Sequence, residues 1–214
     1  MNIKHHLMFA VLIIVLQAFS TASANTFDEF FRAIERDDAS LVATLLQRGF
    51  DPNSRDAEGQ VALFLALRQP APAVAEVLWA QRRLQVDAAN AHGETPLMMA
   101  ALRGNLRWMQ RLLERGARVH HAGWSPIHYA ATGPEPQAVA LLLDRGAPVD
   151  ARSPNGTTPL MMAARYGSER SVELLVRRGA DLRLRNQLDL GAADFAREAG
   201  RESLASQLAA AAAR

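Results

Sequence analysis

Four histidines beyond residue 24 are the side chains of this 214-residue sequence best suited to metal chemistry. Three of them, His92, His120 and His121, stand in the stretch that leads to Trp124. Three imidazole rings would suit zinc or copper. Because no carboxylate stands at a fixed spacing from them, a metal- or haem-handling protein is the alternative hypothesis rather than the first.

Catalytic patterns are missing from the sequence. It contains no cysteine, which excludes a cysteine nucleophile, a thiolate zinc site and a disulfide scaffold. No serine stands in a nucleophile elbow, no glycine-rich loop follows a strand pattern, and no paired carboxylates recur at a fixed spacing. We therefore predict a protein that is not an enzyme and that has no catalytic residues, no bound metal and no cofactor.

The composition indicates a folded chain with no bias toward nucleic acid. Hydrophobic residues make up 49% and charged residues 21%, and 24 basic residues oppose 22 acidic ones, for a net charge of +2. Such a balance is too apolar for disorder. It also lacks the one-sided basic charge that nucleic-acid binding requires.

The first 24 residues resemble a secretory signal peptide. Lys4 precedes an apolar run from Leu7 to Phe19, and Ala22-Ser23-Ala24 provides the small residues of a cleavage site. The run is too short to span a bilayer comfortably. We expect cleavage after Ala24, a periplasmic location and no membrane association afterwards; an uncleaved membrane anchor is the alternative.

One sequence pattern recurs through the remaining chain. Residues 95–101 (TPLMMAA) return as residues 125–131 (SPIHYAA) and residues 158–164 (TPLMMAA), each followed by a Leu-Leu pair and a Gly-Ala pair. Taking the first alanine of the pair as the reference extends the register to six units. The reference residues are Ala33, Ala66, Ala100, Ala130, Ala163 and Ala196, separated by 33, 34, 30, 33 and 33 residues.

Each unit is predicted to form two helices and a loop. Thr or Ser caps the first helix, proline suits its first turn, and the alanines form a packing face. In the third unit a second helix carries an apolar stripe that includes Leu112, and Gly116 is placed to end that helix. The loop to the next unit, here called the finger, carries turn signals such as Asn155-Gly156. A single pair cannot bury its apolar face, so the units must stack.

This pattern resembles the ankyrin repeat family, and in length and layout the chain is similar to exported bacterial ankyrin repeat proteins. The resemblance implies an all-α solenoid of about six helix-turn-helix units with hairpin-like fingers. We assign residues 1–24 to the signal peptide and residues 25–214 to the ankyrin repeat domain. The units span about 26–56, 57–90, 91–122, 123–153, 154–186 and 187–214.

One finger is shorter than the others. Nine residues separate Val86 from Thr95, and Val149 from Thr158, but only six separate Val119 from Ser125. What remains is residues 120–124, here called the short finger, which ends at Trp124. A shortened finger predicts a notch with exposed aromatic and imidazole groups.

The resemblance also implies where a partner binds, since ankyrin proteins use their fingertips and first helices. We expect a monomer that docks a folded protein there, either a peroxide-protection enzyme or a toxic effector. The family's histidine slot predicts a structural role for His128, and the repeated methionine pairs are expected in the core. The residues carried over to the partner-binding surface are Arg68, His92, Glu94, Leu102, Arg103, His121, Trp124, Arg165 and Tyr166.

Overall fold

A computed structural model describes residues 26–69 and 71–214, and within these residues the regular structure is helical, which confirms the all-α prediction. The predicted signal peptide lies outside the described residues. None of the described helices has the length and apolarity needed to cross a membrane. The helices are α1 (residues 26–35), α2 (Ala39–Gln47), α3 (Ala62–Arg68), α4 (Pro72–Trp79), α5 (Pro96–Leu102), α6 (Leu106–Glu114), α7 (Pro126–Thr132), α8 (Pro136–Asp144), α9 (Pro159–Tyr166), α10 (Glu169–Arg177), α11 (Ala192–Glu198) and α12 (Glu202–Ala212).

The six sequence units are called repeats from here on. At a larger scale the chain forms two compact units, the first ending at Leu84 and the second comprising Gln85–Arg214. The first unit contains α1 to α4, with stacked rings of Phe30 and Phe50 at a centroid distance of 4.3 Å. Its second repeat lacks a capping residue before α4, and Asp37 of the first repeat supplies the cap. The Asp37 carboxylate accepts a hydrogen bond from the Val74 N–H at 2.8 Å.

The second unit stacks its helices in two rows. The first helices α5, α7, α9 and α11 pack side by side, and α6, α8 and α10 form the second row, with α12 against α11. Small side chains in the first row allow this close approach. The reference alanines Ala100, Ala130, Ala163 and Ala196 are all fully buried there.

Capping follows the sequence pattern in the third and fifth repeats. The Thr95 and Thr158 hydroxyls each accept a hydrogen bond from the backbone N–H three residues later, at 3.4 Å. The sulfur of the methionine at that third position accepts the N–H of the threonine, also at 3.4 Å. Gly116 has a φ of 93° after α6, as predicted for a helix-ending glycine.

Full-length fingers close on themselves. In the three full-length fingers of the second unit, the N–H of one residue donates to the carbonyl four residues later: Asn90 to Glu94 at 2.8 Å, Ser153 to Thr157 at 3.0 Å, and Asn186 to Leu190 at 3.0 Å. A side-chain oxygen of the first residue accepts the N–H of the last in all three. The fingers are thus hairpin-like turns built around one Asx or Ser residue.

Candidate protein-binding surface

The short finger enters α7 along irregular backbone instead of a closed turn. Gly123 makes this possible, because its φ is +83° and a Cβ there would lie 3.2 Å from Cγ of Pro154 in the next finger. Trp124 follows with 38% of its surface exposed. Its ring meets the His128 ring edge-on, at a centroid distance of 5.2 Å.

His128 is buried and joins two repeats. Its Nδ1 accepts the Ser125 N–H at 3.2 Å, and its Nε2–H donates to the carbonyls of Ala151 and Thr157, both at 3.1 Å. These partners fix the tautomer with the proton on Nε2. Burial lowers the pKa of His128 below its usual value. The predicted structural role of this histidine is confirmed.

An open pocket of about 260 Å³ lies beside the short finger, and its exposed lining is mostly apolar. We call it the Trp124 pocket. The sequence predicted Leu102 and Trp124 as binding residues, and the structure brings them together here. It adds Tyr129 and Met162, which the sequence analysis missed. The lining residues are Leu102, Trp124, His128, Tyr129, Thr132 and Met162.

The position of the two missed residues within their repeats could have identified them. Met99, Tyr129 and Met162 occupy the same position of their repeats, the fifth residue counted from the capping Thr or Ser. Met99 is buried, as expected for the core, whereas Met162 and Tyr129 are only half-buried. The assignment of both methionine pairs to the core is therefore wrong for Met162.

Glu94 is held at the edge of the Trp124 pocket. Its carboxylate accepts a hydrogen bond from the Tyr129 hydroxyl at 2.9 Å and another from the Asn90 amide at 2.7 Å. Burial and the bond to Glu94 raise the pKa of Tyr129, so the phenol stays neutral. The predicted binding residue Glu94 is thus fixed against a pocket residue.

Two predicted arginines differ in their surroundings. Arg165 stacks over the Tyr166 ring at 5.3 Å and forms an ion pair with Glu198 of α11. Its charge is balanced within the chain, while Tyr166 remains 56% exposed. Arg103 is exposed at the C-terminal cap of α5, and among the described residues no carboxylate pairs with it.

The histidines do not form a metal centre in the described part of the chain, where no group of three or more His, Cys, Asp and Glu side chains could hold an ion. His92 is exposed at its fingertip, as is His120 in the short finger. His121 is mostly buried, with Nε2 3.6 Å from the Asp87 carboxylate. Burial lowers the pKa of His121, and Asp87 opposes that shift.

The remaining predicted residue and one unpredicted residue lie elsewhere. Arg68 ends α3 in the first unit and is half-buried. Leu188, at the tip of the last finger, is 73% exposed and was not predicted. Together with Trp124 and Tyr166 it completes the exposed large hydrophobic residues of the described chain, all three in the second unit.

Known proteins and one sequence-family model match this chain. The sequence model described as "Ankyrin repeats (3 copies)" matches residues 30–122 and 110–186. Protein glp-1 of Caenorhabditis elegans is 26% identical over 90% of this chain, and the mouse B-cell lymphoma 3 protein homolog is 32% identical over 68% of it. The chain spans only 16% and 34% of the lengths of these two relatives.

A solved structure also resembles the chain. The structure is the complex of a predatory endopeptidase from Bdellovibrio bacteriovorus with an immunity protein. One of its chains matches with a TM-score of 0.70 and 25% identity, over 85% of this chain and 97% of that one. The matched chain is therefore similar to this one in length as well as in fold.

Proposed function

The chain belongs to the ankyrin repeat family, and on this premise we propose that it is a non-enzymatic module that docks a folded protein at the Trp124 pocket. Ankyrin repeats are protein-binding modules. The proposal adds the place of binding, which is the short finger and the first helices beside it.

The exposed indole of Trp124 beside an apolar pocket is the observation that carries this proposal. Tryptophan and tyrosine are enriched among the residues that dominate binding energy at protein interfaces. The pocket, at about 260 Å³, is smaller than the roughly 300–1,000 Å³ of sites that enclose small-molecule ligands. Its size and openness suit a side chain presented by another protein.

We further propose a periplasmic location and a toxic effector as the client. The predicted signal peptide supports export. Of the two client classes that the sequence left open, the toxic effector is supported by the structural neighbour, which comes from a complex between an endopeptidase and an immunity protein. An enzyme of the peptidase class is therefore the client we propose.

Affinity capture tests the proposal. Immobilised residues 25–214 are incubated with periplasmic extract of the source organism, alongside Trp124→Ala and Leu188→Ala variants. We expect the parent chain to retain one major protein and Trp124→Ala to lose it, because truncating a central aromatic anchor costs about 2 kcal/mol or more. Leu188→Ala is the matched control, since it truncates an exposed apolar side chain on a different finger.

The client's identity completes the test. The retained protein should carry peptidase activity that falls to zero as the chain is added in equimolar amount. Equal retention by the parent and the Trp124→Ala variant would place the interface elsewhere. A retained protein without hydrolytic activity would contradict the client class while leaving protein binding intact.

A further inference from the structure

We propose that the Trp124 pocket selects a client segment in which a large apolar side chain stands between a basic and an acidic side chain. This inference rests on the proposed function and specifies the chemistry of its client. Its basis is an unpaired charge at each end of α5, one negative and one positive, next to residues that line the pocket.

Glu94 is the negative end. Its two hydrogen bonds, from the Tyr129 hydroxyl and the Asn90 amide, come from neutral groups. Among the described residues no cation pairs with this carboxylate, although it is only half-buried. A basic side chain of a client would form a charge-assisted hydrogen bond with it.

Arg103 is the positive end. It directly follows Leu102, which lines the pocket, and its side chain is exposed. Arg165 already pairs with Glu198, whereas Arg103 has no such partner in the described chain. An acidic side chain of a client would supply a partner for Arg103.

Helix α5 sets the distance between the two charges. Glu94 and Arg103 are nine residues apart and flank α5 at its opposite ends. From the N-cap Thr95 to the C-cap Arg103 the helical rise of 1.5 Å per residue gives about 12 Å, and the extended backbone before Thr95 adds up to about 3 Å for Glu94. An extended client segment covers the same distance in four residues, at about 3.3 Å each. Alternate side chains of such a segment point to the same side.

The client pattern follows from this spacing. A basic residue, an apolar residue two positions away and an acidic residue two positions further on would all face the chain. The apolar side chain would enter the pocket against Trp124 and Met162, the basic one would reach Glu94, and the acidic one Arg103. The pattern is a surface strand or extended loop of the client.

Selection from a display library of random seven-residue peptides tests this inference. Immobilised residues 25–214 serve as the bait, and peptides that also bind the Trp124→Ala variant are removed. We expect enrichment of the base–x–apolar–x–acid pattern, in either chain direction. Synthetic peptides with this pattern should bind about two- to fivefold more weakly to Glu94→Gln and to Arg103→Gln, the range of exposed ion pairs.

Matched variants keep the test specific. Glu94→Gln retains acceptor and donor groups for Asn90 and Tyr129, so its fold should persist. Arg170→Gln removes an exposed cation on α10 and should leave peptide binding unchanged. Enrichment without a charge preference, the opposite effect of the two charge variants, or no Trp124-dependent enrichment would each overturn the inference. If the chain still captures a client through Trp124, the proposed function stands without it.

Discussion

The fourth and fifth repeats share one helical framework and differ in their surface. Both start the first helix with proline, and both bury the reference alanine fully, at Ala130 and Ala163. The fifth repeat is preceded by a finger that closes through Ser153, whereas the fourth is preceded by the short finger. The comparison shows that finger length can change while the stacked core stays the same.

The residue at the third position of the first helix also makes different contacts in the two repeats. In the fifth repeat, Met161 accepts the N–H of its own capping threonine and reaches no further. In the fourth repeat, His128 serves its own cap and also binds the carbonyls of Ala151 and Thr157 in the next finger. The repeat with the short finger therefore anchors the full finger that follows it.

Truncating the shared core should have the largest effect and should not distinguish the two repeats. Leu142 of α8 and Leu175 of α10 are both fully buried. Replacing either by alanine should lower the free energy of unfolding by about 2–5 kcal/mol, through lost burial and the cavity left behind. Urea denaturation followed by circular dichroism measures this. A loss below about 1 kcal/mol in one repeat would show that the framework is not common to both.

The His128→Met variant gives the fourth repeat the methionine that the third and fifth repeats have at the same position. Methionine can accept the Ser125 N–H but cannot donate to the carbonyls of Ala151 and Thr157. Because those carbonyls lose a buried hydrogen-bond donor, we expect the free energy of unfolding to fall by about 1–3 kcal/mol. The Met161→Leu variant, measured in the same way, shows how much the cap contact at this position contributes when no bond to the next finger is involved. An unchanged stability for His128→Met would refute the anchoring role.

The same variant should weaken the dependence of stability on pH. The pKa of His128 is lowered in the folded state by burial, so below about pH 6.5 the unfolded chain binds a proton that the folded chain resists. Stability is therefore complete above that pH and is lost as pH falls through the lowered folded pKa. His121 shifts in the same direction, and part of the loss should remain in His128→Met. A parent chain equally stable at pH 7 and pH 5 would contradict this.

Removing the Tyr129 hydroxyl should have a smaller effect on stability than the His128→Met change. Tyr129→Phe keeps the ring at the pocket and deletes only the hydrogen bond to Glu94. We expect a loss of about 0.5–1.5 kcal/mol, because Glu94 is half-buried and retains the bond from Asn90. The fifth repeat has Met162 at this position, and Met162→Leu should be close to neutral. A larger loss for the methionine would reverse the comparison.

The sequence predicted the features that depend on one repeat. Proline starts, threonine caps and the glycine after α6 follow from local patterns, and all are present. The short finger was predicted from spacing alone. Contacts between repeats were harder, since they join residues more than thirty positions apart. The Glu94–Tyr129 hydrogen bond, the Arg165–Glu198 ion pair and the Asp37 cap on α4 are of this kind.

Exposure was also difficult to predict from the sequence. Met99 and Met162 stand in identical sequence segments, yet one is buried and the other lines the pocket. Because the two segments are identical, the difference comes from the repeats packed around each methionine, which its local sequence does not contain. Leu188 was missed for a different reason, because the local turn built around Asn186 places it at the tip of the finger.

Lengthening the short finger to full length tests the central claim most directly. In this variant residues 120–124 are replaced by a copy of residues 150–157, which gives the fourth repeat a finger of full length. Calorimetric titration with the captured client should show a loss of about 2 kcal/mol or more of binding free energy. Thermal unfolding should change little, because the stacked core is untouched. Parent-like affinity in this folded variant would contradict the claim that the short finger creates the binding surface.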